Sequence, residues 1–174
     1  MKKWIVTILI MAVIIISFLF IPIKSTIVFY EKNTDDIVAY IPLKVNDTFE
    51  IIFVHSIHLT DVTEKYEITS DYEIRQYEMI FSDFGIGMPY EVKGYEEIDY
   101  VDGFYRITNM NNRFESLQIR NGKTVSEHRL VWQSEGKEEK QVFFNDFFEQ
   151  GAWFTVKPVK LSMVDTWREV KIHE

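Results

Sequence analysis

From residue 26 to residue 162 apolar and polar residues alternate with a period of two, and this pattern constrains the fold more than anything else in the chain. TIVFYE (26–31), FEIIFVHSI (49–57), VTEKYEIT (62–69), YEIRQYEMIFS (72–82) and WFTVKPVKLS (153–162) all carry it. Successive side chains of a strand point to opposite faces, so each segment buries one face and wets the other. Turn residues bound the segments: KNTDD precedes IVAYIPL, and SEGKEEK (134–140) reads as a solvated hairpin loop. Asn121-Gly122 lies between SLQIR and TVSEHRLVWQ and predicts a tight hairpin joining 115–120 to 124–133, because a type I′ turn needs positive φ at both central positions. FFNDFFEQ (143–150) fits either a strand or a short helical turn. No long helical period competes, so residues 25–174 are expected to form one all-β domain, an antiparallel β-sandwich or a barrel-like fold.

Residues 1–24 are of a different kind. Lys2 and Lys3 precede an uncharged apolar run from Trp4 to Ile23. Twenty residues at about 1.5 Å each match a hydrocarbon core of roughly 30 Å. The end of the run, FLFIPIKS, has no small-x-small cleavage site, and the chain has no cysteine to carry a lipid. The expectation is an uncleaved signal anchor, a single transmembrane helix behind which residues 25–174 lie outside the cytoplasm; cleavage is the alternative. Orientation follows from Lys2 and Lys3, which outweigh Lys24 on the other flank.

Three of the 19 basic residues lie at or before Lys24, whereas all 27 acids follow it. Residues 25–174 therefore carry 16 basic against 27 acidic residues, a formal net charge of −11. Such a domain repels nucleic acid and anionic headgroups, which excludes nucleic acid as a partner. Aromatic content of 16% and only four prolines argue against disorder.

FVHSIHLTDVTEKYEI (53–68) concentrates the polar chemistry. A four-residue loop at His58–Asp61, or a tighter one at Leu59-Thr60, opposes Phe53 to Tyr66, His55 to Glu64 and Ile57 to Val62, all on one core face. Ser56, Thr63, Lys65 and Glu67 take the opposite face. In this register His55 and Glu64 meet as a hydrogen-bonded pair. Such a pair either satisfies two buried polar groups, or lets Glu64 fix the tautomer of His55 while the second ring nitrogen serves a ligand. Ser56 and His55 are strand neighbours on opposite faces, which argues against a Ser–His catalytic arrangement. His55, His58, Glu64 and His128 match no zinc spacing, so neither a metal nor another cofactor is expected.

In FSDFGIGMP (81–89), Gly85 and Gly87 allow positive φ or close backbone approach, and Pro89 stops a ladder. The stretch reads as a structured loop or as a backbone-lined lip for a ligand or partner. Asp83, Asp99 and Asp102 read as solvated turn residues.

Together, FxHSI-x-x-T-x-V-x-E-x-Y (Phe53, His55, Ser56, Ile57, Thr60, Val62, Glu64, Tyr66) and FSDFGIGMP resemble the bacterial domain-of-unknown-function family 1850. The similarity spans most of residues 26–132 and is concentrated in 53–89. The resemblance implies a small exported protein typically encoded beside a tripartite ATP-independent periplasmic (TRAP) transporter of the TAXI type, and it transfers no reaction. Two functions follow as expectations. One is a membrane-anchored, non-enzymatic accessory or binding module whose partner is the TRAP permease or its solute-binding protein. Aromatic contacts for it are sought at Trp132, Trp153, Trp167, Phe147 and Phe148. The alternative is a small ligand-binding protein or enzyme using a His55/Glu64 pocket. The candidate binding residues are His55, Ser56, Glu64, Gly85, Gly87 and Pro89.

Overall fold

The computed structural model describes every residue except Met1, Ile86, Tyr90, Ser126, Glu135, Gly136 and Glu174, and of Lys2 it describes only the backbone. Beyond the N-terminal helix α1 (Lys2–Leu19) the chain is built from antiparallel strands. The strands are β1 (Lys24–Glu31), β2 (Ile37–Ile41), β3 (Thr48–Val54), β4 (Asp61–Ile68), β5 (Ile74–Phe81) and β6 (Glu97–Val101). They continue with β7 (Phe104–Thr108), β8 (Asn112–Phe114), β9 (Leu117–Arg120), β10 (Arg129–Gln133), β11 (Lys140–Phe143) and β12 (Trp153–Leu161). FFNDFFEQ resolves into the end of β11 and a 3₁₀ turn at Phe144–Asp146. A short helix α2 (Met163–Arg168) follows β12, opened by a reciprocal cap between Ser162 and Asp165.

Two sheets result. The smaller runs β2-β1-β12-β9; the larger runs β11-β10-β3-β4-β5-β7-β6, with β8 beside β5. Ile27, Phe29 and Val156 from the smaller sheet join Phe49, Ile51 and Leu130 from the larger in one buried cluster, and Phe144 packs edge-on against Phe29. Two separate sheets sharing a core fit a sandwich rather than a closed barrel. A second cluster, Val62, Met79, Phe81, Met88, Ile107 and Met110, covers part of the larger sheet. Its lid comes from loops: Met88 belongs to the connection after β5, and Met110 follows β7.

Three expectations need correction. The hairpin β3–β4 forms, but in another register. Phe49 lies opposite Tyr66, Ile51 opposite Glu64 and Phe53 opposite Val62, a slip of four residues from the expected pairing. An even slip keeps every side chain on its expected face, so Phe53, Val62, Glu64 and Tyr66 still share one face while their partners change. His55 leaves the strand and opens a six-residue loop, 55–60, closed by His55 N–H to Thr60 O at 2.8 Å and by Leu59 N–H to His55 O at 2.9 Å. Leu59 turns the chain there with φ at 54°.

The Asn121-Gly122 hairpin is absent. β9 pairs with β12 in the smaller sheet and β10 pairs with β3 and β11 in the larger, so the segment between them crosses from one sheet to the other. Neither Asn121 nor Gly122 has positive φ. Asn121 is fully buried, and its Nδ2 donates to Asn145 Oδ1, Phe148 O and Glu149 O at 3.0–3.2 Å. The tight turn occurs at Asp102-Gly103 instead, with φ of 53° and 88°, between the paired ends Val101 and Phe104.

The apolar run is not one helix. Ile21 precedes Pro22, where the α conformation is disfavoured, and the last turn tightens through Phe20 N–H to Ser17 O and Ile21 N–H to Phe18 O. α1 therefore ends at Leu19, and among the described residues no helix is long and apolar enough to cross a membrane. Its large apolar side chains nonetheless stand exposed on all sides, from Trp4 to Phe18.

Candidate functional site

The inner face of β3 and β4 carries Phe53 and Glu64 to the seam between the two apolar clusters. Next to Glu64 on that face stand Tyr66, in the first cluster, and Val62, in the second. Tyr66 donates its hydroxyl to Glu64 Oε2 at 2.8 Å. Burial raises the pKa of the Glu64 carboxyl despite that bond, and burial followed by the charge of Glu64 raises the Tyr66 hydroxyl far more.

Glu64 is not the partner of His55. The Nδ1 of His55 instead accepts from the backbone N–H of Ile57 at 3.4 Å and of His58 at 3.3 Å, two long bonds that place the proton of a neutral ring on Nε2. Its tautomer is thus set by its own loop. The ring is buried and stacks on His58 with centroids 4.9 Å apart. Gly85 lies against this stack: a Cβ there would sit 2.5 Å from His58 Nε2 and 3.3 Å from His55 Cε1. Gly85 thus lets the His58 ring lie close against the backbone, whereas Gly87, with φ at 91° and open surroundings, is required for conformation. A hydrogen bond of 2.7 Å from Ser82 Oγ to Thr60 Oγ1 ties the two loops together.

The crossing segment forms the opposite wall. His128 stacks on Phe53 at 5.9 Å and packs at a tilt against Phe144 at 5.7 Å, and its buried Nδ1 has no hydrogen-bond partner among the described residues. Burial lowers its pKa. A Cβ on Gly122 would run into the carbonyl oxygen of Val125 and come within 3.2 Å of His128 Cε1, so this glycine too permits close approach to an imidazole.

Between these walls opens a cleft of about 800 Å³ lined by His55, Ser56, Gly87, Arg120, Lys123 and His128 among others. A smaller recess of about 180 Å³ adjoins it, shares Phe53, Arg120 and His128 with it, and reaches Glu64. Of the residues proposed from sequence, His55, Ser56 and Gly87 thus line one cleft, Gly85 backs it, Glu64 lies at the neighbouring recess, and Pro89 lines neither. Arg120, Lys123 and Met88 were missed, and His128 entered only as a possible metal ligand. The signal of Arg120, Lys123 and His128 was hidden because Asn121-Gly122 reads as a turn, whereas Met88 lies inside FSDFGIGMP, where the glycines and the proline drew the reading. Among the described residues no group of three or more acids and histidines is placed to hold a metal ion.

The aromatic candidates divide. Trp132 and Phe148 are core, Phe147 is half-buried, and Trp153 and Trp167 are exposed. Lys32 Nζ lies 4.1 Å above the Trp153 ring and the Arg120 guanidinium 5.6 Å from it. A further exposed group, Tyr95, Tyr100, Val101 and Phe104, lies at and beside the edge strand β6.

Neither a curated protein nor a solved structure matches the chain. A family model described as "Domain of unknown function (DUF1850)" matches residues 49–138, which run from β3 to the loop after β10 and include both walls of the cleft. That is more than half of the 174 residues, and the chain belongs to the DUF1850 family.

Proposed function

We propose that this protein is a membrane-tethered, extracytoplasmic binding module that works beside a TRAP-type transport system, presenting a small-molecule cleft and performing no catalysis. The observation that carries this reading is the cleft itself. Two loops and a sheet-crossing segment, far apart in sequence, converge on one concavity whose walls carry two imidazoles, each approached closely by a glycine. Such a lining holds and orients a ligand. Catalysis finds less support: His55 turns its Nδ1 to backbone amides, and Glu64 is engaged by Tyr66.

The tether reading rests on α1. An 18-residue helix about 27 Å long, apolar and exposed on every side, needs an apolar surrounding, and a bilayer supplies one for most of that length. The flanking Lys2 and Lys3 favour a cytoplasmic N-terminus. The acidic β-domain would then sit at the outer surface, within reach of the permease or its solute-binding protein, and the exposed residues along β6 offer a contact face.

Native mass spectrometry of the full chain, extracted gently from membranes and incubated with cell and medium extracts, tests the binding reading. A bound small molecule is expected, and Val125→Trp, which fills the cleft, should abolish it. A chain that takes up nothing from any extract overturns the reading. Crosslinking in intact membranes tests the partner: recovery of a TRAP subunit is expected, and its absence removes the transporter assignment.

A further inference from the structure

We propose that the ligand of this cleft is a small organic carboxylate, its charged head held by Arg120 with Lys123 and its apolar body lying along Phe53, Val54, Met88 and Val125. The inference rests on the binding reading above and adds the chemical class of the ligand.

The first observation is electrostatic. Residues 25–174 carry 27 acids, yet no acidic side chain is found among the described residues that line the cleft. Two cations, Arg120 and Lys123, stand at this one concavity. Every other arginine in a strand holds a carboxylate: Arg75 pairs with Glu67, Arg106 with Glu78, Arg113 with Glu73 and Arg129 with Asp61. Arg120, at the end of β9, holds none among the described residues, and neither does Lys123. In a protein with a surplus of acids, two such cations beside a pocket mark an anion site better than an accident of surface charge.

The second observation is geometric. The Arg120 guanidinium lies 5.6 Å from the Trp153 ring, a contact that steadies a side chain that is otherwise exposed. Arg120 and His128 line both the cleft and the recess, so a head group at their junction meets the guanidinium and the imidazole together. The buried Nδ1 of His128 has no hydrogen-bond partner among the described residues, a polar atom at this wall that protein groups leave unsatisfied.

The third is the apolar lining. Phe53, Val54, Met88 and Val125 offer nothing to inorganic phosphate or sulfate, and they suit a short hydrocarbon body. Glu64, at the floor of the recess, disfavours a second negative charge there when ionised, which selects a monocarboxylate over a dicarboxylate.

Isothermal titration of the full chain in lipid nanodiscs tests the proposal, with isovalerate and benzoate as probes against isovaleramide, isoamylamine and inorganic phosphate. The two carboxylates should bind saturably, the amide about tenfold more weakly, the scale of one lost charge-assisted hydrogen bond, and the amine and phosphate more weakly still. Arg120→Gln should weaken carboxylate binding about tenfold with an unchanged melting temperature, since the side chain is exposed. Lys123→Gln, also exposed, should weaken it less and provides a second variant should the first be destabilised. Equal binding of acid and amide, tighter binding of the amine or phosphate, carboxylate binding unchanged in both variants, or no binding of either carboxylate each overturns the proposal. A neutral or cationic molecule captured in the extract experiment would overturn this inference alone, whereas a chain that captures nothing overturns the binding reading as well.

Discussion

The two walls of the cleft, loop 55–60 and the crossing segment 121–128, bring an imidazole to the same place by opposite means. Loop 55–60 is closed within itself: His55 and Thr60 share a backbone bond, Leu59 bonds back to His55, and the ring nitrogen of His55 accepts from amides two and three residues ahead. The crossing segment is held from a distance. Asn121 accepts from Gly151 N–H, donates its own N–H to Ala152 O, and uses its side chain on Asn145, Phe148 and Glu149. One wall is therefore local and can loosen alone, whereas the other is part of the cooperative core. A site built from one compliant and one rigid wall can adjust to a ligand without losing the alignment of Arg120 and His128.

Asn121→Ala should produce the largest effect, because it takes from the buried Phe148 carbonyl its Asn121 donor and breaks the bonds to Asn145 Oδ1 and to the Glu149 carbonyl, which keeps Ala152 N–H. A loss of about 2–3 kcal/mol is expected, read from urea unfolding, with amide protection lowered throughout both sheets. A loss of only a few tenths would mean that the crossing is not anchored by this side chain.

The two glycines separate the walls further. In Gly122→Ala the new Cβ meets a backbone carbonyl, which cannot move cheaply, and the cost should be about 2 kcal/mol. In Gly85→Ala it meets the far end of the His58 side chain, which can swing aside, and the cost should stay under about 1 kcal/mol. Equal melting temperatures for the two variants would break the distinction between a rigid and a compliant wall.

His55→Ala should cost at least about 1 kcal/mol, the scale of the long bonds from Ile57 and His58 N–H that it removes. Hydrogen exchange should quicken at Ile57 and His58 while β3 and β4 keep their protection. Loss of protection along both strands would show that His55 supports the sheet and not only its loop.

The smallest effect is a pH dependence of opposite sign at two half-buried groups. Burial raises the folded pKa of Glu64 above its ordinary 4.5, so its contribution to stability is full below that value and is lost as pH rises through the raised one. Burial lowers the folded pKa of His128 below its ordinary 6.5, so its contribution is full above that value and is lost as pH falls through the lowered one. Glu64→Gln keeps an acceptor for Tyr66 and removes the first dependence. The variant should gain on the parent between pH 4.5 and pH 7.5 in urea unfolding. A parent that gains on the variant over that range would show that Glu64 is stabilised as an anion.

Side-chain direction was legible in the sequence because it depends only on the parity of position along a strand. Phe53, Val62, Glu64 and Tyr66 were read onto one face, and the structure keeps them there. Pairing was not legible, because it depends on where the loop closes. The bond between His55 and Thr60 moved that point by four residues and broke the expected link of His55 to Glu64. The two turn dipeptides make the same point. Asp102-Gly103 turns the chain between adjacent strands, while Asn121-Gly122, its equal by local preference, is claimed by acceptors more than twenty residues away. At the N-terminus, charge and hydropathy marked α1, and Pro22 marks its end, since both are properties of neighbouring residues. By itself, then, the sequence determined the all-β class, the inward faces and the apolar N-terminal helix. Tertiary structure alone decided which strands pair, which glycines lie under an imidazole, and that Arg120, Lys123 and His128 share a cleft with His55. Face and helix end follow from short-range sterics and periodicity, whereas the company of a buried polar group depends on every segment that packs around it.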